Sequence, residues 1–396
     1  MSFSADQFVD NLLSDEANDE PSDSVKVNDL EAEMKLPEWF DENKYNQGRR
    51  FYFDFIYGFS IAFMIGVFSL YSIPSTTNVV VSSRRTNTTY TAYKRWMSTF
   101  FHVFSWLLAD LKPGSMVWKS IHTVRVRHVR ASQATKLKNI GVISQRDLSL
   151  GLFVITGYAI LKPDRFGIKQ LRKGDWEAIN HFWRTLGHMI GIQERYNICR
   201  PTFRETREVF KSVQDRIYTP CLENVPEYFE HLNHVTIEGL GNVIAGLEKT
   251  SLSYFMKNIA DVPGYIYTEE ERMKLQEKLE NYLKDKSPDT GVDTTALMRE
   301  CFVKGLPDRP PRLLYLHNYD TVEDSPAYKN LPFIGKYRLA IIHYTMLFYS
   351  TSIGRILLNF HFKLTLFFAK YFPYIAMWKY GIKNAFIDMF KENPKD

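Results

Sequence analysis

Nineteen consecutive residues without a charge, Phe55 to Ile73 (FIYGFSIAFMIGVFSLYSI), constrain this chain more than any other stretch. Arg49, Arg50 and Asp54 precede the run and Pro74 closes it. A helix formed from it is apolar on every face and needs apolar surroundings all round. A bilayer meets that need, because its hydrocarbon core takes about 20 residues of helix. So does the centre of a protein whose other helices cover it on all sides. Asp54 at the boundary, two glycines and three serines weaken the membrane reading, and both readings stand on the sequence.

Further along, Ser144 with Asp147 three residues later is a helix-start signal, the carboxylate variant of a capping box. The run LSLGLFVITGYAIL behind it has fourteen residues, short for a membrane span and right for a core helix. Asp175 is read as the cap of another helix, with an apolar stripe of Ile179, Phe182, Trp183, Leu186, Met189 and Ile190. Residues 203–260 continue the helical pattern with little strand signal. The fold class expected is all-α.

The flanks differ in composition. Ten acidic side chains between Asp6 and Glu33 stand against the single base Lys26, so residues 1–35 read as a disordered acidic tail. Residues 36–260 form the expected helical domain, and 261–335 a charged, loop-rich excursion. Residues 336–396 alternate apolar runs with Lys and Arg, a pattern for amphipathic helices that pack on the core or lie on an anionic membrane. Three widely spaced cysteines, Cys199, Cys221 and Cys301, fit neither a disulfide framework nor a zinc spacing. They favour a reducing, intracellular setting. No basic low-complexity run is interleaved with aromatics, which argues against nucleic acid as a partner. Phosphate loops, G-x-S-x-G elbows, H-E-x-x-H and C-x-x-C pairs are absent from the sequence.

Two helical stripes carry the candidate chemistry. In VWKSIHTVRVRHVRAS, the residues Val117, Ile121, Val124, His128 and Ala131 share one face. His128 thus sits within an apolar stripe, Arg125 on its flank, and Arg127 and Arg130 point elsewhere. A core imidazole needs a carbonyl, a water or a metal as partner. On the preceding helix Arg95, Thr99, His102 and Trp106 recur on one face, a pattern for a lined pocket, and Lys112-Pro113-Gly114 turns the chain between the two helices. Non-haem metal binding through His181, His188 or the His231/His234 pair is a weaker candidate.

Four motifs in order carry a resemblance: R-x-x-x-T (Arg95, Thr99), V-R-x-x-H (Val124, Arg125, His128), S-Q-x-D-L (Ser144, Gln145, Asp147, Leu148) and W-R-x-x-G-x-x-x-G-I (Trp183, Arg184, Gly187, Gly191, Ile192). Over roughly residues 50–250 the chain resembles the family of the rubber oxygenase catalytic domain and the endoplasmic-reticulum-bound oxygenase mpaB. That resemblance implies an all-α, multi-helix, globin-like core around b-type haem, with extra helices at both ends. His128 would be the axial iron ligand, and Arg125 would support it or a haem propionate. Arg95 and Thr99 would line the O2 side. The lysine that rubber oxygenases can carry just before the distal threonine is here Ser98, and the later arginine of the family's H-A-x-V-R continuation is missing. The function expected is a haem b-dependent oxygenase cleaving a C=C bond of an apolar, isoprenoid or lipid substrate, associated with the endoplasmic reticulum membrane. The alternative is a membrane-associated helical protein that binds a lipid or a partner without catalysis.

Overall fold

The structure, a computed structural model, describes residues 3–22, 34–244, 247–262 and 326–391. Among them there is no β-strand, and one isolated bridge pairs Pro21 with Ser144. The fold is all-α. Its helices are α1 (Ala5–Leu13), α2 (Asp15–Asp19), α3 (Glu42–Asp54), α4 (Ile56–Leu70), α5 (Pro74–Ser83), α6 (Thr89–Leu108), α7 (Met116–Leu137), α8 (Gln145–Leu161) and α9 (Asp175–Ile190). The order continues through α10 (Phe203–Val213), α11 (Thr219–Glu223), α12 (Phe229–Leu240), α13 (Lys249–Ile259), α14 (Pro326–Lys329), α15 (Phe333–Ser350), α16 (Ser352–Tyr371), α17 (Tyr374–Tyr380) and α18 (Ile382–Ala385).

The uncharged run becomes α4, a central core helix. Phe59, Phe63, Ile65 and Val67 on its several faces are all buried. It packs along α8, the other uninterrupted apolar helix, so each supplies the apolar surroundings the other needs. The two backbones touch at Gly66, where a Cβ would come within 2.0 Å of the Val154 carbonyl oxygen. Gly48 does the same for α3 against α9, with the Ala178 carbonyl 2.3 Å from where its Cβ would be. No single described helix is long and apolar enough to cross a membrane. Only α3 and α4 taken together pass that test, and they are bent by 88°. At the bend, Asn359 of α16 accepts from the Tyr57 amide (3.1 Å) and donates to the Asp54 carbonyl (2.8 Å), satisfying backbone groups that the break exposes.

The acidic N-terminus departs from expectation. Residues 3–22 are not a disordered tail: Ser4 caps α1, Ser14 caps α2, and Phe8, Val9 and Leu12 are buried where α1 meets α10. The charge that suggests disorder is directed at bases of the folded body. Asp10 pairs with Arg216 at 2.6 Å, and Arg195 takes both Glu16 (2.6 Å) and Glu20 (2.5 Å). Three apolar residues on one helical face supply the burial, and the ion pairs orient the segment. Most of the expected 261–335 excursion, including Cys301, lies outside the described residues.

Asp175 does not cap its helix. The cap position is Gly174 (φ +84°), and the Asp175 carboxylate instead accepts from the Leu171 and Arg172 amides at 3.0 and 2.7 Å. At the other end, α15 and α16 form a hairpin whose inner face meets α4 and α13. Its outer face stays exposed, with Phe333 85% accessible. Beyond it, α17 and α18 cross α6, where Tyr93 donates to the Ala385 carbonyl at 2.7 Å.

Candidate functional site

Helices α4 to α9 line a partly open chamber of about 300 Å³. That is at the low end of the range of about 300–1,000 Å³ usual for small-molecule sites. Its walls are largely aliphatic: Val79 and Val80 from α5, Val124 and Ala131 from α7, Leu148, Leu152 and Ile155 from α8, and Ile190 from α9. A Cβ placed at Gly151 would meet nothing within 4 Å, so α8 opens directly onto the space there.

Three of the four candidate residues line this chamber. His128 comes from α7, and Arg95 and Thr99 from α6. The Arg95 guanidinium lies 5.5 Å over the Trp96 ring and donates to the Thr86 hydroxyl at 3.1 Å; burial pulls its pKa down. Thr99 lines the chamber and gives its hydroxyl proton to the Arg95 carbonyl at 3.0 Å, which leaves that oxygen able to act only as an acceptor. Ser98 lines the chamber one residue earlier.

Arg125 is not part of the lining. It is buried on α7 with its charge felt at His188 of α9. Arg127, expected to point away, lines the chamber instead. Helical geometry accounts for both. At about 100° per residue, Ala131, His128 and Arg127 lie within about 60° of Val124, whereas Arg125 stands about 100° off. The stripe in the sequence is sound, and its centre lies on Val124.

Arg127 connects several elements. Its Nη1 donates to the Ser98 hydroxyl at 3.1 Å and lies 3.2 Å from His102 Nε2, while Nη2 donates to the Met389 carbonyl at 2.7 Å. His102 bonds the Ser120 hydroxyl through Nδ1 at 2.7 Å, and the Trp106 indole donates to the same oxygen at 2.9 Å. Burial, reinforced by the Arg127 charge, pushes His102 down to about 4, so the ring is neutral. All four residues of the α6 stripe line the chamber, and two of them, His102 and Trp106, also fasten α6 to α7 through Ser120.

Two other motifs hold the frame. Gln145 at the start of α8 donates to the Gly191 carbonyl (3.0 Å) and accepts from the Gln193 amide (2.9 Å), joining α8 to the end of α9. Gly191 ends α9 at φ +108°, a conformation that favours glycine. Arg184 pairs with Glu194 at 2.6 Å and stacks on Trp39.

Three of the other candidate histidines make contacts within the fold. His181 is buried, accepts the Asp41 amide at 3.0 Å through Nε2 and packs between Trp39 and Phe40. His188 meets Trp39 edge-on, and His231 bonds the Asn87 carbonyl. Among the described residues no three His, Cys, Asp or Glu side chains are grouped to hold a metal ion. Two imidazoles line the chamber, and since both ring nitrogens of His102 are bonded, to the Ser120 hydroxyl and the Met389 carbonyl, His128 is the candidate donor. That donor set suits a prosthetic group that brings its own equatorial nitrogens and asks the protein for one axial ligand.

A second cavity, of about 380 Å³, adjoins the first and shares Arg85, Arg95, Ser98 and Arg127 with it. Its far wall comes from the C-terminal segment around Lys383 and Lys391, nearly 300 residues away in the chain, a pairing that no local pattern announces.

Fold and site together define an all-α protein with a mostly apolar, partly open chamber that has two histidines and a cluster of arginines in its wall. No family model matches the chain, and no curated protein matches it. Among solved structures it is similar to one described as "Structure of Latex Clearing Protein LCP in the closed state", with TM-score 0.45 and 17% identity, covering 76% of this chain and 87% of that one.

Proposed function

We propose that the chain is a haem b-dependent oxygenase that uses O2 on an apolar, unsaturated lipid or isoprenoid substrate, with oxidative C=C cleavage as its reaction. The observation that carries this reading is that His128, Arg95 and Thr99 line one largely aliphatic chamber. The motif resemblance assigns the same three residues to the two sides of a haem. When bound, the haem would supply the O2 chemistry that no side chain here provides.

The protein's own contributions follow from the chamber. His128 would hold the group through its imidazole. The aliphatic walls exclude water and accept the hydrocarbon. Arg95 offers a positive charge and donor hydrogens, and Thr99 an acceptor oxygen. Ser98 cannot place an ammonium over the group, and its hydroxyl is already the acceptor for Arg127. Arg125, which does not line the chamber, is left out of this proposal.

The same reading puts the protein at a membrane surface through α15–α17. Between residues 326 and 387 there are eight Lys and Arg and no Asp or Glu. The exposed Phe333, Phe360 and Trp378 lie among these bases. Apolar side chains flanked by bases suit an interface rich in anionic lipid, and the endoplasmic reticulum membrane is the setting the resemblance suggests. A lipid-binding protein without catalysis is the second reading, favoured by the same exposed surface. Oxygen uptake by haem-loaded protein supplied with an unsaturated lipid, with carbonyl products identified by mass spectrometry, separates the two. Uptake lost in His128→Ala supports the oxygenase; haem-loaded protein that consumes no O2 leaves the binding reading.

A further inference from the structure

We infer that the second cavity is a binding site for the acidic head of an amphiphile, whose hydrocarbon part lies in the adjoining chamber. The described side chains around it include six bases, Arg85, Lys94, Arg95, Arg127, Lys383 and Lys391, against the single acid Asp388. Side-chain hydroxyls of Thr91 and Ser98 add hydrogen-bonding partners. The chamber beyond is mostly aliphatic, and the shared residues Arg85, Arg95, Ser98 and Arg127 form the boundary between the two. A neutral hydrocarbon has no use for such a vestibule, whereas an anion eases the repulsion among like charges brought together there. A carboxylate or phosphate joined to a hydrocarbon chain satisfies both halves at once: charge-assisted hydrogen bonds at the head and apolar burial along the tail.

Position agrees with this assignment. Lys383, Asn384 and Phe386 of the vestibule wall directly follow α17, whose exposed Trp378 belongs to the surface proposed to meet the membrane. An acidic lipid leaving an anionic bilayer would meet the bases before the chamber. The assignment rests on the reading of the chamber as the site of an apolar substrate, and it narrows that substrate from any unsaturated lipid to one with an acidic end.

The test is equilibrium binding of oleate, oleoyl-lysophosphatidate and methyl oleate, each below its aggregation concentration, to the full chain. Two variants are compared with it: the triple Lys94→Gln/Lys383→Gln/Lys391→Gln, which removes charge and leaves the structural arginines, and Gly151→Phe, which fills the chamber. The expected result is that the triple variant binds both acids about tenfold or more weakly. Methyl oleate should be unaffected by it, Gly151→Phe should weaken all three ligands, and the tighter acid names the head group. If the triple variant leaves the acids unchanged while Gly151→Phe weakens everything, the vestibule assignment fails and the chamber reading survives. If Gly151→Phe changes nothing, the chamber reading itself fails. Haemin-loaded protein supplies the last arm. Should the triple variant lose haemin binding, and the loaded protein no longer distinguish oleate from its ester, the bases serve the carboxylates of the prosthetic group and the assignment is overturned.

Discussion

Arg127 donates from Nη1 to the Ser98 hydroxyl at 3.1 Å, fastening the helix that carries His128 to the helix that carries Arg95 and Thr99. The bond sits just before Thr99 in the chain, and it makes a lysine unwelcome there. In Ser98→Lys an ammonium would face the Arg127 guanidinium in a half-buried wall, where like charges are poorly screened. We expect a loss of about 2 kcal/mol or more, against about 1 kcal/mol for Ser98→Ala, which removes only the hydrogen bond. Denaturant titration of the two variants checks it. Equal stability of Ser98→Lys and the parent would mean that the contact does not hold the helices together.

The N-terminal helix is part of the folded body. Leu12 is fully buried, whereas its neighbour Leu13 is only partly so. Leu12→Ala should therefore cost about 2–5 kcal/mol, and Leu13→Ala distinctly less, in the same titration. A null effect of Leu12→Ala would return this segment to the solvated tail that its composition suggests.

Acid should weaken the fold through its neutral histidines. Burial pushes both His102 and His181 down to about 4 from an ordinary 6.5. Below 6.5 the unfolded chain takes up protons that the native rings refuse. The stability they support is complete above about pH 6.5 and is lost progressively as the pH falls towards 4. The thermal midpoint followed from pH 8 to pH 4 should show this slope. His181→Gln, which keeps an acceptor for the Asp41 amide but cannot be protonated, should flatten it. An unchanged slope in that variant would remove His181 from the account.

Membrane attachment is tested at Trp378, which is 87% exposed. Pelleting with vesicles containing phosphatidylserine should carry the chain down, and neutral vesicles should do so less, because each base near an anionic surface contributes about 1 kcal/mol. Replacing Phe333, Phe360 and Trp378 together by serine should reduce pelleting severalfold without lowering the thermal midpoint. Binding that persists unchanged would place the membrane contact elsewhere.

Much of this architecture was legible in the sequence, for identifiable reasons. The second uncharged run announces a core helix, the first stays open between a core helix and a membrane span until its packing is seen, and the period of the Val117–Ala131 stripe groups His128 with Val124 and Ala131, which line the chamber beside it. The N-terminal helices were missed because charge density conceals a three-residue apolar stripe unless the bases opposite, Arg195 and Arg216, are already in place. Arg127 lines the chamber and Arg125 does not because the sequence stripe was wide enough to admit either, and only the packing of α7 against its neighbours fixed its centre. The basic vestibule joins residues near position 90 to residues near position 390, which no local pattern encodes.

The most direct test of the central claim is the absorption spectrum of the protein purified from haem-supplemented cells, beside its His128→Ala variant. Arg125→Ala serves as a control, since Arg125 lies outside the chamber lining. The account predicts a Soret band in the parent that is lost or shifted in His128→Ala and retained in Arg125→Ala. Well-folded parent protein with no Soret band, or a band identical in His128→Ala, would contradict it.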